Sequence, residues 1–237
     1  MGRRHVVIED RFRGPSDSGN GGYVCGLVAG ILGGSAEVTL RRPPPIGRPL
    51  LVRDSGAEGV ALLDGGKEVA EGLPGRVEVE APEPVGLGDA VEAAGRYPGF
   101  AVHRFPECFV CGPQRAEGDG LRIFAGRVTG RRVVAAPWTP HETLAGEDGL
   151  VGPEFVWAAL DCPGAFAHGF PAVPMVLGRL AARVLRPTHP GESTVVVGWP
   201  EGVERRKHVA GTALFGADGE VRAVARATWI RLTPEVP

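Results

Sequence analysis

The chain has 237 residues, 43% hydrophobic and 23% charged, with a formal net charge of −2. That length suits one large domain or two of ordinary size, and the near-neutral charge excludes general electrostatic capture by nucleic acid or an anionic membrane. No apolar run reaches the ~18–20 residues that span a bilayer.

The N-terminus, Met-Gly-Arg-Arg-His-Val, lacks the apolar stretch of a secretory signal, and Val6 replaces the Ser or Thr of a myristoylation pattern. Cys25, Cys108, Cys111 and Cys162 are too few and too scattered for a disulfide scaffold, so a cytoplasmic protein is expected. Residues 5–13 predict a strand and 14–19 a turn. Asn20 then stands at the N-cap of a helix that begins Gly21-Gly22-Tyr23. In that helix Val24, Leu27, Val28 and Ile31 make an i, i+3, i+4, i+7 core stripe. Gly26 and Gly30, beside Tyr23, make a small-residue face. An interior glycine costs roughly 1 kcal/mol against alanine, so a sheet or a ligand should approach this face closely.

Strands are predicted at 36–42, 49–53, 58–64, 67–71 and 75–80, with a hairpin turn at Asp64-Gly65-Gly66. Residues 81–106 carry prolines at 82, 84, 98 and 106 around a short helical stretch near 88–96, and read as a linker. A strand pair follows at 121–128 and 131–138. The next helix has Pro153 at its first position, where a missing N–H costs nothing, and should end at Pro163-Gly164. Glu154, Trp157 and Asp161 fall on one of its faces. An acid on so apolar a helix needs a polar partner or a cavity, and the expectation is a cavity. Strands at 176–185, 192–199, 207–215 and 221–232 complete the chain, with a turn at Asp218-Gly219.

The second half replays the first. Leu40 to Gly47 aligns with Leu185 to Gly191, and Asp64-Gly65-Gly66-Lys67-Glu68-Val69 with Asp218-Gly219-Glu220-Val221-Arg222-Ala223. A strand, a helix and an antiparallel meander, repeated once, make an internal duplication.

This order resembles the hotdog fold. The Leu185–Gly191 run, Arg205-Arg206-Lys207, and Asp218-Gly219 leading to Trp229 resemble the acyl-CoA thioesterase pattern. Asn20-Gly21-Gly22 is similar to the His-Gly-Gly helix start of phenylacetate-type thioesterases, with Asn in place of His. The resemblance implies an α+β tandem double hotdog, residues 1–98 forming an N-terminal domain with linker and 99–237 a C-terminal one.

It further implies an acyl-CoA or acyl-carrier thioester hydrolase with Asp161 as base or nucleophile and Asn20 as its catalytic companion. Gly21, Gly22, Glu154, Trp157 and Thr228 are implied to contact substrate, and Arg205, Arg206 and Lys207 the coenzyme A phosphates. No cofactor is implied beyond the coenzyme A of the substrate. The expected partner is a small acyl thioester, with no nucleic acid or membrane, and the chain is expected to form a dimer of double hotdogs. In the family the carbonyl-polarising N–H precedes the acid by about two turns. That position here is Pro153, which has none, though the Glu154 amide one residue on could substitute, while the first half keeps the Gly21 and Gly22 amides but has Ala29 at the acid's place. A composite site combining Asn20, Gly21 and Gly22 with Asp161 is therefore expected, the alternatives being an acyl-binding protein without turnover and a hydratase or dehydratase. The last needs His141 or His168 to reach Asp161.

Cys108-Phe-Val-Cys111-Gly112 reads as a knuckle-like turn with two free thiols, because a structural zinc needs four ligands. His103 and Cys25 or Cys162 could join it only through tertiary structure. No HxxxH, HExxH, GxSxG or phosphate-loop motif is present.

Overall fold

Among the described residues, eleven strands form one antiparallel sheet: β1 (His5–Val7), β2 (Ala36–Leu40), β3 (Pro49–Asp54), β4 (Val60–Asp64), β5 (Lys67–Pro74), β6 (Gly126–Arg127), β7 (Val134–Trp138), β8 (Met175–Val184), β9 (Thr194–Glu204), β10 (Lys207–Phe215) and β11 (Val221–Arg231). Their order across it is β1-β3-β4-β5-β2-β8-β11-β10-β9-β7-β6. This computed structural model describes residues 4–56 and 58–233; residues 1–3, the start of the basic N-terminal run, lie outside them. Four helices complete it: α1 (Gly21–Leu32), α2 (Leu87–Ala94), α3 (Pro153–Ala159) and α4 (Cys162–Ala167).

The two halves meet where β2 pairs with β8, and there Glu37 opposes Ala181. Corresponding residues face each other at that point, so a pseudo-twofold axis passes between them. The repeat shows in the backbone as well. The Arg41 and Arg42 amides both donate to Val69 O, just as those of Leu185 and Arg186 both donate to Arg222 O. Gly47 and Gly191 share a left-handed φ of 72° and 76°. Leu40 therefore corresponds to Val184, one residue before the match suggested by the sequence.

Helix α1 packs against β2, β4, β5 and β8 and crosses α3, while α4 lies on β9 and β10. The close approach expected at the small-residue face of α1 is made by α3 and not by the sheet. A Cβ on Gly26 would lie 2.5 Å from Glu154 Cα, and one on Gly22 2.5 Å from Asp161 Cβ; at Gly30 it would meet nothing within 4 Å. On the opposite face of the second-half sheet α2 buries Ala90 and Ala93 against Ala135, Val195, Val197 and Ala213. This explains why successive residues of β9 and β10 are buried: each strand is covered on both faces.

Four expectations need correction. The first strand stops at Val7, and Asp10–Phe12 form a 3₁₀ turn. Residues 75–80 are not a strand: β5 runs on to Pro74, and the chain then crosses so that Val79 and Ala81 pack into the cluster under α2. Residues 121–125 are not one either, because Leu121 and Ile123 give their amides to Phe109 and Val110 of the cysteine turn. The apolar helix breaks after Ala159 and resumes as α4 straight through Pro163-Gly164. Pro163 has no N–H for Ala159 O and its ring would clash with that carbonyl. Thr212 Oγ1 donates instead to Leu160 O at 2.7 Å, satisfying a carbonyl freed by the break.

Candidate active site

The helix break creates the site. Asp161 stands between α3 and α4 at φ −78°, ψ −83°, outside regular helix geometry, and is 2% exposed. Its Oδ2 accepts two hydrogen bonds of 2.9 Å, from the Gly22 amide and from Asn20 Nδ2. Both donors belong to the first half. Asn20 cannot turn its amide round, because its Oδ1 caps α1 by accepting from the Tyr23 amide at 2.9 Å. Its second Nδ2 hydrogen faces Cys108 Sγ at 3.8 Å. Tyr23 in turn is held by aromatic stacking on Phe12 at a 4.2 Å centroid separation.

Asp161 Oδ1 has no hydrogen-bond partner among the described residues, although the residue lines a cavity of about 280 Å³. Burial raises the carboxyl to about 7; the Gly22 amide opposes this, Cys108 adds to it, and Asn20 opposes it. The cavity wall is otherwise largely apolar, with Phe105, Phe166, Phe170, Met175, Leu177 and Trp229. Gly21 also lines it. As the first helical residue, Gly21 has an amide with no intrahelical acceptor. Arg41 and Arg42 border the cavity. Arg41 is engaged by Glu68 and Glu71, whereas Arg42 has no ion pair among the described residues and is exposed.

Asn20, Gly21, Gly22 and Asp161 thus come together across the two halves. The Gly22 amide is committed to the carboxylate, which leaves Gly21 as the free amide at the helix start. The other expected contacts lie elsewhere. Trp157 is buried where α1 crosses α3, and Glu154 lies under Gly26 at the same crossing, so neither lines the cavity. Thr228 is not among the residues lining the cavity, although the next two residues of β11, Trp229 and Ile230, are. Arg205, Arg206 and Lys207 occupy the β9–β10 hairpin, and the cavity-bordering cations are Arg41 and Arg42 instead.

Among the described residues no histidine lines the cavity. His141 bonds Thr143, and His168 Nε2 meets Val209 O at 2.8 Å. The sequence reads Cys108 and Cys111 as free thiols that Cys162 could join only through tertiary structure; the fold makes that junction, and the three sulfurs lie within 4.8 Å of one another beside the acid.

No family model matches the sequence, and no curated protein matches it. Solved structures do. The tesB protein of Mycobacterium avium subs paratuberculosis aligns over 98% of this chain and 93% of its own, at 12% identity and a TM-score of 0.64. A conserved hot dog fold protein of unknown function from Alicyclobacillus acidocaldarius aligns over 98% and 94%, at 11% identity and a TM-score of 0.58. The chain has the hotdog fold. A putative thioesterase from Novosphingobium aromaticivorans matches this tandem hotdog similarly, over 98% and 96%, at 12% identity and a TM-score of 0.62. A thioesterase superfamily protein aligns 53% of this chain with 61% of its own at 20% identity and a TM-score of 0.47, too partial a match to bear on fold or function. At these identities the likeness establishes the fold; chemistry must be argued from the site. No helix among the described residues is long and apolar enough to cross a membrane.

Proposed function

We propose that this tandem hotdog hydrolyses an acyl thioester of coenzyme A or an acyl carrier, with Asp161 as general base. The observation that carries the reading is the asymmetry of one carboxylate. Oδ2 is locked by two donors from the opposite half, while Oδ1, buried and unpaired, belongs to a residue lining a mostly apolar cavity. A water beside Oδ1 would give up its proton as its oxygen bonds to the thioester carbonyl carbon. The carbonyl oxygen, as it gains charge, would take the Gly21 amide at the positive end of α1. Collapse breaks the C–S bond, and the leaving thiolate takes the proton held by Asp161. The acyl chain fits the phenylalanine-lined wall, and Arg42 suits an anionic group at the rim.

A dehydratase is not favoured, since neither His141 nor His168 contacts the acid. Pro153, which left the second half without its own amide donor, does not argue for binding without turnover, because the first half supplies the donors. The test is thiol release from a panel of aliphatic and aromatic acyl-CoAs, with the free acid identified. Release of thiol and acid in equal amounts from at least one member supports the reading. Hydration of an enoyl member without thiol release, or no turnover across the panel, contradicts it.

A further inference from the structure

Residues 108–112 form a tight turn. The Gly112 amide donates to Cys108 O at 2.9 Å, and a Cβ at Gly112 would fall 2.5 Å from Pro106 O and 2.6 Å from Cys108 N. Asn20 Nδ2 faces Cys108 Sγ at 3.8 Å. The break between α3 and α4 brings Cys162 to this turn with its Sγ 3.9 Å from that of Cys108, and all three sulfurs fit within 4.8 Å. A tetrahedral ion with metal–sulfur bonds of about 2.3 Å separates its sulfurs by about 3.8 Å. The Cys108–Cys162 edge already has that length.

We propose that Cys108, Cys111 and Cys162 bind one zinc-class divalent cation as thiolates, with its fourth position open to the cavity that holds Asp161. Three metal–sulfur bonds form and the thiol protons leave to solvent. His103 is the alternative fourth ligand, and its hydrogen bonds argue against it. Its Nδ1 accepts from the Phe105 amide at 2.9 Å, so in the neutral ring the proton sits on Nε2, 3.4 Å from Cys111 Sγ. That nitrogen donates to the sulfur and has no lone pair for a metal. His103 thus orients Cys111 from outside the coordination sphere. The three cysteines line the cavity and His103 does not, in keeping with a three-ligand site that leaves one position free. Cys25, buried on α1, is outside the cluster.

The experiment uses the whole chain, purified under reducing conditions. Metal content is measured by mass spectrometry, and the metal-stripped protein is titrated with cobalt(II) while thiolate-to-cobalt charge transfer and the tetrahedral visible bands are followed. One equivalent of cobalt taken up with both signatures and displaced by zinc is expected. Cys108→Ser and Cys162→Ser should each weaken cobalt binding at least tenfold. Cys25→Ser should bind as the natural protein does, and His103→Ala should keep one equivalent with the charge-transfer band. Absence of charge transfer in the natural protein would overturn the site without any variant having to fold. Undiminished binding in Cys162→Ser would overturn the ligand set, and loss of binding in His103→Ala the open position.

Discussion

Gly22 is the position at which packing and chemistry coincide, and replacing it with alanine separates the composite site from a chance contact. The new Cβ would stand 2.5 Å from Asp161 Cβ, 2.9 Å from Trp157 O and 3.1 Å from Ala158 Cα. Carbon atoms in contact prefer about 3.5–4.0 Å, so α1 and the α3–α4 break must part by about 1 Å. That stretches the 2.9 Å bond from the Gly22 amide to Asp161 Oδ2 beyond hydrogen-bond range. Overpacking costs about 1–3 kcal/mol and loss of a hydrogen bond to a charged group about 1.5–3 kcal/mol. Alanine's helix preference returns about 1 kcal/mol. The net, roughly 1.5–5 kcal/mol, corresponds to a fall in Tm of about 3–20 °C at this chain length. Thioester turnover should fall at least tenfold, since the freed carboxylate no longer holds one orientation. Gly30→Ala is the control: its Cβ meets nothing within 4 Å, so only the propensity gain applies and Tm should rise. Calorimetry and thiol release on both variants decide the matter. A Gly22→Ala protein as stable and active as Gly30→Ala would refute the interlocked crossing.

Asn20 does two things that substitution can separate. Asn20→Ser keeps a cap for the Tyr23 amide but loses the donor to Asp161, so it should lose activity with a smaller fall in Tm than Asn20→Ala, which also forfeits a cap contributing about 1 kcal/mol. The Asp161 carboxyl sits near 7 in the folded chain against about 3.9 unfolded. The folded state therefore holds its proton more tightly, and this group removes stability as pH rises from about 4 to 7. Asp161→Asn escapes that loss, so its Tm advantage over the natural protein should widen across this window and level off above it; a constant difference would contradict the burial. Thr212→Val leaves Leu160 O without its donor and should lower stability by about 1–3 kcal/mol in urea unfolding.

The elements with clear periodicity were legible in the sequence. Asn20 marked the start of α1 by its cap chemistry, and β8, β10 and β11 lie within a residue of where alternation put them. The unusual acid on an apolar helix pointed to Asp161, and the N–H missing at Pro153 pointed to donors from the other half. Less local properties were hidden. Nothing in residues 75–80 says that β5 will overrun them, or in 121–125 that the cysteine turn will claim their amides. Thr228 and the Arg205–Lys207 run were assigned by family likeness, which carries position but not which residues line the cavity. Cys162 lies 51 residues beyond Cys111 in the chain, and only the break before Pro163 turns its sulfur toward the other two.

The central claim, that Asp161 from one half works while held by the other, is tested most directly by single-turnover thiol release with Asp161→Asn. The amide keeps an oxygen to accept from the Gly22 amide and Asn20, so the fold and ligand-induced rise in Tm should persist on whichever acyl-CoA the natural protein cleaves. The rate of the chemical step should fall at least a hundredfold. An Asp161→Asn protein that binds the same substrate and releases thiol at the natural rate would contradict the account.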